Sequence, residues 1–243
     1  MKTIGYMISG YPSLKQCVEI SKAYIAGGCD MLEISIPLEE NLEAPYLCDL
    51  MRTTVQKYPD YEQHLNVIRE ITRMYPYITY TLLIYKEVMD GIGVSRLGEF
   101  CRECGILYIN SPDITDQESI GILKSYGVRL AGLILYDWDK EMMETAKKAD
   151  GFIYVQAFPG NASNLREGCE TPEELITLLR RQGISNQLYC GGGIRTPEDV
   201  LRLKKAGADG FFLGTSILEL SGRLEEIEKT IKAFRRAAAS NAF

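Results

Sequence analysis

Histidine is almost missing from this chain: His64 is the single one among 243 residues. Cys101 and Cys104 form a CxxC, but no second pair follows and His64 lies far away in sequence. The common zinc patterns are therefore absent, and no metal or cofactor is expected. The seven cysteines are odd in number and scattered, which points to reduced thiols rather than a disulfide framework. The spacing of Cys101 and Cys104 puts them on adjacent turns of a helix, as packed thiols. Basic runs are missing too. Lys and Arg number 27 against 33 Asp and Glu, a net charge of −6, so neither nucleic acid nor an anionic membrane is expected as the main partner. No apolar run reaches the roughly 18 residues that a membrane span needs. Met1 leads straight into a strand-like run with no secretion signal, and a cytoplasmic location is expected.

Short apolar runs alternate with amphipathic helical stretches along the whole length. The strand candidates are Thr3–Ile8, Met31–Ile36, Ile78–Ile84, Leu107–Asn110, Leu130–Leu135, Gly151–Gln156, Gln187–Cys190 and Gly210–Leu213. Helical patterns follow at Leu14–Ala26, Tyr61–Met74, Arg96–Cys104, Ser119–Tyr126, Lys140–Lys148, Pro172–Arg181, Pro197–Ala206 and Arg223–Ala237. Eight strand–helix pairs predict an α/β fold with a parallel sheet closed on itself, a (β/α)8 TIM barrel. No linker interrupts the pattern, so residues 1–243 are expected to form a single domain. The first strand runs into Ser9-Gly10-Tyr11-Pro12 rather than a GxGxxG, which argues against a doubly wound open sheet. Thr171-Pro172-Glu173-Glu174 and Thr196-Pro197-Glu198-Asp199 each read as a capped helix start.

Two glycine-rich loops stand directly after the last two strands. The seventh strand enters Gly191-Gly192-Gly193-Ile194-Arg195 and the eighth enters Gly214-Thr215-Ser216. Glycines let backbone N–H groups approach an anion closely, and helix N-termini add donors. In such barrels a phosphate site commonly lies after strands seven and eight. Gly192, Gly193, Gly214 and Thr215 are thus candidates to hold a phosphorylated small molecule, with Gly160 in the loop Phe158–Ser163 as a third element.

At the second strand, Leu32, Ile34 and Ile36 alternate with Met31, Glu33 and Ser35. The aliphatic face suits the surrounding helices, so Glu33 should point into the barrel near its C-terminal end. A carboxyl group partly removed from water there favours its neutral form, which suits acid–base work. A structural ion pair is the plainer alternative.

Leu32-Glu33-Ile34-Ser35-Ile36-Pro37, Ser9-Gly10-Tyr11-Pro12, Leu83-Ile84-Tyr85, Gly191–Ile194 and Gly214-Thr215-Ser216 together resemble the tryptophan synthase alpha subunit family, in order and spacing over nearly the whole chain. The resemblance implies a cofactor-free lyase that cleaves indole-3-glycerol phosphate to indole and glyceraldehyde 3-phosphate and delivers indole to a beta subunit. It implies that Glu33 is the acid/base that protonates indole C3. Tyr154 matches a tyrosine near the active site, and Gly160, Gly192, Gly193, Gly214 and Thr215 match the phosphate region. The segment after Pro37 departs from the pattern. The family carries an aspartate there that hydrogen-bonds the indole N–H. Aligned without a gap, Ala44 takes its place, whereas a one-residue deletion brings in Glu43. Asn110 stands for an aspartate near the subunit contact, Ser35 for a glycine, and Phe158-Pro159-Gly160 for an arginine-serine-glycine loop.

Two other functions fit a phosphate-binding barrel, because fold does not fix chemistry. One is a phosphosugar isomerase or synthase; the other is a non-catalytic subunit that binds a phosphorylated metabolite.

Overall fold

The computed structural model describes residues 1–39, 45–160, 165 and 168–240. Its strands are β1 (Lys2–Ile8), β2 (Met31–Ser35), β3 (Thr79–Leu83), β4 (Tyr108–Asn110), β5 (Arg129–Leu130), β6 (Gly132–Ile134), β7 (Ile153–Gln156), β8 (Leu188–Gly191) and β9 (Gly210–Leu213). All neighbours are parallel, in the order β5-β4-β3-β2-β1-β9-β8-β7-β6.

The two ends of that order are one stretch of chain. β5 pairs with β4 and β6 with β7, and only Ala131 separates them. The Ala131 amide donates to Ile109 O at 2.9 Å, and the next amide, Gly132, donates to Phe152 O at 2.9 Å. The single fifth strand expected at Leu130–Leu135 therefore changes partner midway, and that change closes the barrel. Gly151 makes the closure possible: its amide donates to Leu130 O at 2.9 Å, and a Cβ there would lie 2.7 Å from the same oxygen.

The helices are α1 (Leu14–Gly27), α2 (Pro45–Lys57), α3 (Tyr61–Met74), α4 (Lys86–Ile92), α5 (Val94–Cys104), α6 (Gln117–Ser125), α7 (Lys140–Lys148), α8 (Pro172–Arg181), α9 (Pro197–Ala206), α10 (Thr215–Leu218) and α11 (Leu224–Ala239). The eight expected from periodicity are all present. α2, α4 and α10 are additional and fall outside the strand–helix rhythm of the other eight.

Alternation along each strand sorts the core into layers. Leu32, Ile34 and Ile36 pack outward with the helices in one large cluster. Inside the barrel, Ile4, Met31, Phe152, Tyr189 and Phe212 form a floor with Tyr108, Ala131 and Tyr154 against it. Its rings touch in sequence: Tyr108–Phe152 at 5.4 Å, Phe152–Tyr189 at 5.0 Å and Tyr154–Phe212 at 5.2 Å between centroids. Burying each such ring contributes about 2–3 kcal/mol, and the floor closes the barrel to water from below. A third cluster lies at the C-terminal mouth, where Leu47, Leu50 and Met51 of α2 meet Tyr6, Ile8, Leu83 and Leu218.

His64 ties α3 to the first loop. Its Nε2 lies 2.8 Å from Tyr58 O, and its Nδ1 lies 3.0 Å from Ser9 O and 3.1 Å from Ser9 Oγ. Burial lowers its pKa below 6.5 and outweighs the backbone contacts that raise it. The unfolded chain thus binds a proton that the folded chain resists. This contribution to stability is present above about pH 6.5 and is lost as the pH falls toward the lowered folded value. Between pH 7 and 5.5 the melting temperature of His64→Gln should fall less than that of the parent, as scanning calorimetry would measure; equal losses would exclude the effect. Among the described residues, no helix is long and apolar enough to cross a membrane.

Candidate active site

Glu33 sits two residues above Met31 of the aromatic floor and is 3% exposed. On β1 its neighbour is Tyr6 and on β3 it is Thr81. The carboxylate reaches past β3 to β4, where Asn110 Nδ2 donates to Oε1 at 3.0 Å. The hydroxyls of Ser35, above Glu33 on the same strand face, and of Thr81 beside it are fully buried and have no hydrogen-bond partner among the described residues. A buried carboxylate flanked by such donors can exchange a proton with a bound molecule, because these groups can follow its change of charge.

Tyr154 stands on β7, on the wall opposite β2, and packs against the aromatic floor. Its ring rests on Phe212 and stands over Gly191, where a Cβ would lie 2.5 Å from the phenol oxygen. Gly191 is therefore required for Tyr154 to pack against the end of β8. Gly192 (φ +86) and Gly193 (φ +79) follow in the left-handed region and are exposed. Glycine adopts these conformations at little steric cost. Gly214 precedes α10, and Gly160 (φ +57) lies in the loop after β7. The glycine loops lie after β7, β8 and β9, across the mouth from the wall that carries Glu33 and Asn110.

The start of α9 contributes less than its sequence suggests. Its capping box is complete: Asp199 Oδ2 accepts from the Arg195 and Thr196 amides at 2.9 and 2.8 Å, and Thr196 Oγ1 accepts from the Asp199 amide at 3.3 Å. These donors are used within the helix, and Pro197 has none.

Cys101 and Cys104 lie on α5 as free thiols, and burial raises the pKa of both. A thiol held protonated is a poor nucleophile and a poor redox centre. Among the described residues, no group of three acidic, cysteine or histidine side chains is placed to hold a metal ion.

The family model for the tryptophan synthase alpha chain matches residues 1–242. The chain belongs to that family. A tryptophan synthase alpha chain from Methanoregula boonei is 27% identical over 223 residues, covering 89% of this chain and 83% of the relative. One from Methanopyrus kandleri is 25% identical over 240 residues, covering 97% and 86%. Among solved structures, the tryptophan synthase alpha subunit of Legionella pneumophila superposes with a TM-score of 0.84 at 19% identity, over 98% of this chain and 92% of that one. The tryptophan synthase α2β2 complex of Pyrococcus furiosus gives 0.83 at 17%, over 97% of each chain. The barrel read from the alternating pattern is the barrel of this family.

Against the family pattern, Glu33, Tyr154 and the loop glycines stand around one mouth. Glu43 lies outside the described residues. Sequence reasoning missed the contact between Asn110 and Glu33. The signal was available in principle, since Tyr108 and Asn110 share the inward parity of β4 while Ile109 packs outward.

Proposed function

We infer that this chain is a lyase of the tryptophan synthase alpha type that cleaves indole-3-glycerol phosphate to indole and glyceraldehyde 3-phosphate. The observation that carries the reading is Glu33, an acid 3% exposed above an apolar floor, facing two glycine loops across the mouth. The phosphate is held by the amides around Gly192, Gly193, Gly214 and Thr215, with Gly160 beside them. The indole ring then reaches back toward β2.

Glu33 gives its proton to indole C3, and the ring becomes an electron-poor iminium. The hydroxyl on the adjacent side-chain carbon loses its proton to a carboxylate, and its oxygen forms the aldehyde C=O. The electrons of the breaking C–C bond return to the ring and restore neutral indole. One proton is given and one recovered, so the step balances without an oxidant, reductant or cofactor. Glu43 is our candidate for the carboxylate that binds the indole N–H, and Tyr154 packs beside the substrate at the loop after β8. By likeness to the α2β2 complex of Pyrococcus furiosus, the chain pairs with a beta subunit. Its free thiols fit a cytoplasmic enzyme.

A phosphosugar isomerase that pairs acids on the first and fifth strands finds no support at β1. That strand runs into Ser9, whose hydroxyl donates to Ser35 O at 2.9 Å. The test is incubation of the purified chain with indole-3-glycerol phosphate, with and without a beta subunit. Indole and glyceraldehyde 3-phosphate should form in equal amounts. No indole at stoichiometric enzyme under either condition removes the assignment.

A further inference from the structure

The hydrogen bond between Asn110 and Glu33 joins side chains 77 residues apart across an intervening strand. By register Glu33 stands opposite Thr81, whereas Asn110 stands opposite Leu83, two residues nearer the mouth. To meet Asn110, the Glu33 side chain must lean over β3 and toward the C-terminal rim. Asn110 is itself 5% exposed, at the last position of β4, so its amide has little freedom to point elsewhere.

The residue type matters as much as the place. A second carboxylate at this distance would share a proton with Glu33 and hold one of the pair neutral. A lysine would hold Glu33 permanently ionised. An amide does neither. Its NH2 donates to the carboxylate, and after a half-turn its carbonyl oxygen accepts from the carboxylic acid O–H. A group that loses and regains a proton in each turnover is served in both states by such a partner.

We propose that Asn110 is a positioning residue: it fixes the Glu33 carboxyl over β3 at the barrel mouth and satisfies it in both protonation states. The proposal rests on the reading of Glu33 as the acid that protonates C3. In that role Glu33 must carry its proton at the start, so the alkaline limb of the kcat profile reports it. Without the amide donor the buried carboxylate is less well solvated, and the limb moves to higher pH.

The test compares the parent chain with Asn110→Ala and the nearly isosteric Asn110→Asp. Asn110→Ala should lower kcat about tenfold with KM within twofold, and should move the alkaline limb up by about one pH unit. Asn110→Asp should move it further in the same direction. A residue that merely supports the strand would change stability and leave the limb in place. Titration of the Glu33 carboxyl by carbon NMR on glutamate-labelled protein, with Glu33→Gln to assign the signal, gives the same readout without turnover. A limb and a carboxyl titration unmoved in both variants would overturn the proposal. If the titration moves while the parent forms no indole, the positioning role stands and the reaction assignment fails. If indole forms and the titration stays fixed, the positioning role alone fails.

Discussion

Glu33→Gln should reduce indole formation by about a hundredfold to ten-thousandfold, the range for removing a general acid. The substitution keeps the side chain's shape, and the glutamine carbonyl can still accept from Asn110 Nδ2. The variant should therefore fold as the parent does and bind substrate with a similar KM. The loss falls on kcat because the amide holds the position but has no proton of suitable acidity to give C3. Steady-state kinetics with circular dichroism as a check on folding measure it. A kcat within threefold of the parent would mean that another group protonates the ring.

The second large effect is on binding. Gly193→Asp should raise KM for the phosphorylated substrate by about tenfold to a hundredfold, since a carboxylate beside a phosphate adds repulsion of a few kcal/mol at effective protein dielectric. Part of any change comes from forcing a side chain into φ +79. Gly183→Asp is the control. Gly183 has φ +87 with nothing within 4 Å of its would-be Cβ, and it lies after α8, away from the mouth. It carries similar backbone strain without the local charge at the loop. KM should rise in the first variant and stay unchanged in the second. Equal changes in both would assign the effect to strain and remove Gly193 from the phosphate site.

The parts of this molecule that the sequence made legible are those set by local rules. Alternation along Met31–Ile36 placed Glu33 inward because one face carries only aliphatic side chains that the helices bury. The Thr196 and Thr171 capping boxes were readable because Ncap, proline and N3 acid lie within four residues of each other. What could not be read depends on distant partners. The split of the fifth strand at Ala131 arises from closure, which no local pattern encodes. The α2 helix contains Thr53-Thr54-Val55, a poor helix run, and is held by Leu47, Leu50 and Met51 packing on the mouth. The capping box of α9 was visible, but not that its acid consumes the very amides expected to bind an anion. Asn110 looked like a partner-facing position until β3 and β4 were in register.

The most direct measurement is a crystal structure of the chain with a non-cleavable analogue of indole-3-glycerol phosphate. The phosphate is expected against the amides of Gly192, Gly193, Gly214 and Thr215. The indole ring is expected over the aromatic floor, with C3 about 3–3.5 Å from a Glu33 carboxyl oxygen, the reach of a near-attack geometry. A phosphate bound elsewhere, or a ring whose C3 faces a different acid while Glu33 stays turned away, would contradict it.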